Sequence, residues 1–107
     1  MPQLDPNCLK LSEDQRSLLE QLISEYVPSS EVWAYGSRVT GQSHEGSDLD
    51  LVLRNPLALE VPVKGSSDLK EAISGSMLPM LIDIHQWAYL PESFKLNIEQ
   101  AYVLIKG

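Results

Sequence analysis

Apolar positions recur with two different periods along the chain, and each period predicts a different kind of element. Between Leu11 and Val27, the residues Leu18, Leu19, Leu22, Ile23 and Tyr26 fall at helical spacing. Ser12 followed by Gln15 forms a capping-box pattern at the start of this helix, and Pro28 stops it. Glu31–Tyr35 is a short β-prone run that leads into Gly36, which suits a strand entering a tight turn. The polar stretch from Ser37 to Ser47 reads as a loop. Strict alternation follows in Asp48-Leu49-Asp50-Leu51-Val52-Leu53, a second strand with the three leucines on one face and Asp48, Asp50 and Val52 on the other. Asn55 to Gly65 contains Pro56 and Pro62 and reads as a connection, with Leu57 to Val63 as a weak edge pairing. Ser66 or Ser67 is expected to cap a helix through Leu69, Ala72, Ile73 and Met77, ended by Gly75 and Pro79. Met80 to Trp87 is the third strand, with Leu81, Asp83, His85 and Trp87 on one face and Ile82 and Ile84 on the other. From Pro91 onward, Phe94, Ile98, Ala101, Tyr102 and Ile105 form a stripe that predicts a final helix.

This order of elements describes an α/β (α+β) fold, a small mixed β-sheet with helices mainly on one face and the other face open for chemistry. With 107 residues, the chain is expected to fold as a single domain spanning 1–107. Eight Lys and Arg against fifteen Asp and Glu leave a net charge of -7, which repels a phosphate backbone, so no stable nucleic-acid binding is expected. The one cysteine, Cys8, excludes an intramolecular disulfide and a multi-cysteine zinc site. No basic stretch precedes an apolar run at the N-terminus and no segment approaches the roughly 18 apolar residues of a membrane span, so a cytoplasmic protein is expected.

The chemistry concentrates in three aspartates. Asp48 and Asp50 stand at i and i+2 on one strand and therefore point the same way, and Asp83 on another strand can reach them if the two strands are neighbours. Clustered like charges repel unless a divalent cation lies between them, and Mg2+ is the hard cation that prefers oxygen ligands and shares its shell with phosphates. Upstream, Gly36 lets a phosphate approach the backbone, and Ser37 adds a hydroxyl donor. Alone, the Asp48/Asp50 pair also suits a solvated strand face; Gly36-Ser37 and Asp83 together favour a nucleoside-triphosphate site. His85 shares the face of Asp83, where it could line the site or act as a base, but reads first as a structural histidine, and His44 as a surface residue. Trp33 and Tyr35 read as core, and the C-terminal stripe either packs on the sheet or presents Leu96, Val103 and Leu104 to a partner.

The run Ala34-Tyr35-Gly36-Ser37-Arg38-Val39-Thr40-Gly41, the Asp48-Leu49-Asp50-Leu51 box and Leu81-Ile82-Asp83-Ile84 resemble the DNA polymerase β-like nucleotidyltransferase superfamily, in particular its minimal nucleotidyltransferase (MNT or MntA-like) branch. The resemblance implies the nucleotidyltransferase fold and a two-metal transfer of a nucleoside monophosphate from a triphosphate to a hydroxyl, with pyrophosphate leaving. It assigns Asp48 and Asp50 to both Mg2+ ions and Asp83 to the ion that activates the acceptor oxygen. Gly36 and Ser37 would hold the β and γ phosphates of ATP, with Arg38 adding a charge contact. Minimal members of the branch act beside a HEPN-type toxin, a helical ribonuclease, as its antitoxin, in several cases by adenylylating a tyrosine. Many other members carry a second domain that binds the acceptor, which a chain of this length is not expected to hold. The acceptor site is then expected from a second chain in a hetero-oligomer, from a homo-oligomer, or from a very small substrate. Two other functions remain open: a non-catalytic inhibitory binding module for the toxin, and a nucleotidyltransferase of a small molecule such as an antibiotic.

Overall fold

Hydrogen bonds at the first helix follow the pattern read from its sequence. The N–H of Gln15 donates to Ser12 Oγ at 3.2 Å, and the N–H of Ser12 donates to Gln15 Oε1 at 3.1 Å, closing the capping box of α1, Glu13–Tyr26. The structure, a computed structural model, describes residues 11–36, 48–78 and 80–106; Cys8, Ser37, Arg38 and His44 lie outside them. Strand β1 spans Glu31–Tyr35, β2 Leu49–Arg54, helix α2 Ser66–Ser74, β3 Ile82–Gln86, α3 Glu92–Gln100 and β4 Val103–Lys106, with a 3₁₀ turn at Trp87–Tyr89. The four strands form one mixed sheet in the order β3-β2-β1-β4, in which β2 and β3 run parallel and the other pairs antiparallel. The parallel pair is joined through α2, as parallel neighbours require a crossover.

Leu49, Leu51 and Leu53 are buried on one face of the sheet together with Val32, Ala34, Ile84 and Val103, under Leu19, Ile23 and Val27 of the α1 segment and Leu69 and Ile73 of α2. Each fully buried leucine contributes about 1.5–3 kcal/mol. A one-residue slip of β2 would drive Asp50 into this layer and eject the leucines, so burial fixes which side the aspartates take. Two of the three described α-helices cover this face. The opposite face is not open throughout: Trp33, Tyr35, Val52, Trp87 and Ile98 form a second cluster there, sealed in part by α3. Among the described residues, no helix is long and apolar enough to cross a membrane.

Three expected elements differ. The final helix ends at Gln100; Ala101 turns extended, and Val103–Lys106 pairs with β1 instead of continuing a helical stripe to Ile105. Residues 98, 101, 102 and 105 match helical spacing, but Val103-Leu104-Ile105 is an unbroken apolar run, and the open edge of β1 offers it a hydrogen-bonding partner. The cap of α2 is Gly65, with φ +93°, and neither Ser66 nor Ser67. A Cβ at that position would collide with the carbonyl oxygen of Tyr26, so only glycine lets the start of α2 meet the end of α1. That helix also stops at Ser74, leaving Met77 outside it and exposed. Leu57 to Val63 forms no strand. Instead, the Gln86 side chain of edge strand β3 donates to Val63 O and accepts from Val63 N, both at 2.9 Å, and so takes the place of a strand partner.

Candidate active site

Because the leucines of β2 face the helices, its remaining side chains line the other face of the sheet. Antiparallel pairing sets Asp50 opposite Tyr35, and parallel pairing sets it opposite Asp83. Tyr35, Asp50 and Asp83 therefore form one cross-strand row, with neighbouring backbones about 5 Å apart. Asp83 is exposed on the edge strand, Asp50 is half-buried in the centre, and Asp48 is exposed immediately before β2. The three aspartates that the sequence singled out thus share one face and one end of the sheet.

Burial raises the Asp50 carboxyl above the ordinary carboxylate value, and the charges of Asp83 and Asp48 raise it further, against a lowering contribution from His85. The Tyr35 hydroxyl is pushed above its ordinary range by burial first, then by Asp50 and Asp83. Among the described residues, no ion pair joins Asp48, Asp50 or Asp83 to a basic side chain. No three His, Cys, Asp or Glu side chains among them converge as a ready-made metal cage. The donor chemistry nonetheless fits a hard divalent cation: three carboxylates on one face, with Asp83 and Asp48 acting electrostatically on Asp50 and no ion-paired cation among the described residues.

Gly36 closes β1 with φ +87°, and a Cβ built there would lie 2.6 Å from Asp50 Oδ2. The glycine allows the turn to press its backbone against the central carboxylate, which no larger residue could do without displacing Asp50. Ser37 and Arg38, which the sequence adds to Gly36 for phosphate contact, lie outside the described residues.

A palm-domain family described as "Poly(A) RNA polymerase, mitochondrial-like, central palm domain" matches residues 3–97. The chain belongs to this nucleotidyltransferase family. It is also 35% identical over 98 residues to the Haemophilus influenzae protein named "Probable protein adenylyltransferase MntA", an alignment that covers 92% of this chain and 84% of that one. The minimal nucleotidyltransferase resemblance, the fold and the enzyme class read from the sequence all agree with these relatives.

Two further residues belong to this face, one read from the sequence as core and the other as sharing the face of Asp83. Tyr35 is core, as its pattern suggested, yet its register with Asp50 places its hydroxyl among the carboxylates. The only signal for that was its alternation with Trp33, which gives the face but not the strand partner. His85 lies exposed in the next row, opposite Val52, with its ring centroid 6.3 Å from that of Tyr35.

Proposed function

We propose that this nucleotidyltransferase transfers AMP from ATP, in a Mg2+-dependent reaction, to a hydroxyl, that of a tyrosine, on a partner protein, and thereby acts as antitoxin to a HEPN-type toxin. The observation that carries the proposal is the Asp50–Asp83 pair in register on adjacent strands, with the Gly36 turn closing on Asp50. The name of the Haemophilus influenzae relative, a protein adenylyltransferase, favours ATP and a protein acceptor.

Asp48, Asp50 and Asp83 would hold two Mg2+ ions, which supply charge neutralisation at the phosphates and activation of the acceptor oxygen. The row runs from the Gly36 turn on β1, through Asp50, to Asp83 on the edge strand. In the proposed reaction the triphosphate would bind at the Gly36 turn, with Ser37 and Arg38 as the phosphate contacts expected from the sequence, and the acceptor would enter from the β3 edge. The acceptor oxygen bonds to the α-phosphorus, the bond from that phosphorus to the bridging oxygen breaks, pyrophosphate departs, and the hydroxyl proton passes to Asp83. Little covalent work falls to the protein beyond this, so positioning and charge dominate the barrier.

Intact-mass measurement of the chain with its neighbouring-gene product and Mg-ATP, alongside Asp48→Asn, tests the proposal. One adenylyl increment on the partner, absent with the variant, is the expected result. A stable but unmodified complex that still silences the partner would contradict catalysis, and modification by the variant would contradict the assigned residues.

A further inference from the structure

The side chains of Lys64 and Lys70 form no ion pair, hydrogen bond or ring contact with another described residue. Both are exposed, and both line the same groove, of about 820 Å³, along the outer side of β3. Its one acidic lining residue is Asp68, so in a chain of net charge -7 this groove is opposite in sign to the molecule as a whole. Tyr89, 73% exposed, adds an aromatic wall. His85 also lines it, on the face of the carboxylate row and two residues along β3 from Asp83, a distance of about 7 Å.

We propose that this groove docks an acidic segment of the acceptor protein and delivers the residue to be modified to Asp83 from the β3 edge; it rests on the adenylyl-transfer reading above. Two lysines match a pair of carboxylates on a short segment. A nucleic-acid strand presents a charge at every phosphate and needs a longer cationic track than the groove supplies. The carboxylate row supports the direction of approach, because Asp83 is its outermost member and, among the described residues, β3 has no strand beyond it. Like-charge repulsion from the acidic remainder of the chain makes the groove the favoured landing place for an acidic partner.

Fluorescein-labelled random copolymers of Glu and Tyr, and of Lys and Tyr, serve as probes of binding by anisotropy, and labelled ATP reports transfer to the same polymers. The chain is expected to bind the Glu-Tyr polymer in preference, and Lys64→Glu/Lys70→Glu to weaken that binding at least about tenfold while Mg-ATP binding is unchanged. Lys64→Arg/Lys70→Arg is expected to retain it, and rising salt to weaken it in the wild type, so a misfolded charge-reversal variant still leaves two readouts. Equal binding of both polymers, no loss on charge reversal in a folded variant, or tighter binding of an oligoadenylate would each overturn the groove assignment. Polymer bound through the lysines but not adenylylated supports the groove and contradicts AMP transfer. Transfer independent of the lysines does the reverse.

Discussion

The two ends of one sheet face treat their carboxylates in opposite ways. At one end Glu31 accepts a hydrogen bond from Arg54 Nη1 at 2.9 Å, and the same guanidinium lies 3.8 Å from the centre of the Trp33 ring and 4.5 Å from that of Trp87. Trp33 in turn stacks on Tyr102 at 3.8 Å and meets Trp87 edge-on at 5.5 Å. Charge there is neutralised inside the fold and packed with aromatic rings. At the other end, two β2 residues before Val52, Asp50 faces Asp83 with no ion-pair partner among the described residues and a raised carboxyl pKa. The difference separates two uses of charge: the Arg54 end neutralises its carboxylate within the fold, and the aspartate end retains unfavourable charge, which on the proposed reading an external cation and its phosphates would relieve.

Removing charge at each end should therefore have contrasting effects. The largest is expected for Asp50→Asn, which lowers AMP transfer at least about a hundredfold in a quantitative transfer assay, with far-UV circular dichroism unchanged. Next, Arg54→Met leaves Glu31 partly buried without its cation and removes the ring contacts. A loss of about 1–3 kcal/mol in urea unfolding is expected, with transfer per folded molecule unaffected. Gly36→Ala combines both outcomes, because its Cβ meets Asp50 Oδ2 and its φ is strained. It should lose about 1–3 kcal/mol and also slow transfer, which distinguishes it from Arg54→Met.

A smaller effect fixes the sign of the electrostatics. Since Asp50 has a raised pKa in the folded chain, the native state binds its proton more tightly than the unfolded state does. The ionised group accordingly costs stability: the cost is absent below the unfolded value of about 4 and grows as pH rises through the folded value. Melting curves of wild type and Asp50→Asn should coincide in acid and separate toward neutral pH, with the variant melting a few degrees higher. A variant that melts lower at neutral pH would show that Asp50 is stabilised by partners, as Glu31 is.

Much of this contrast was legible in the sequence, for local reasons. Alternation in Asp48–Leu53 fixed the face of the aspartates because the leucines must be buried, and the Ser12–Gln15 box fixed the start of α1. Gly36 was read as a place for phosphate approach, but its contact with Asp50 depends on the β1–β2 register, which no single-strand pattern contains. The Trp33–Arg54–Trp87 stack depends on three separate segments and was missed for the same reason. At the C-terminus, helical spacing competed with a short β-prone run, and the vacant edge of β1 decided for the strand. Gly65 displaced the serine caps because the constraint came from Tyr26, distant in the chain.

Calorimetric titration of ATP into wild type and Asp50→Asn, each with and without Mg2+, tests most directly whether the aspartate end is built for an external cation. The account predicts that wild type binds ATP with Mg2+ and binds it far more weakly without, whereas Asp50→Asn loses the Mg2+-dependent gain. Equal binding by both proteins regardless of Mg2+ would contradict it.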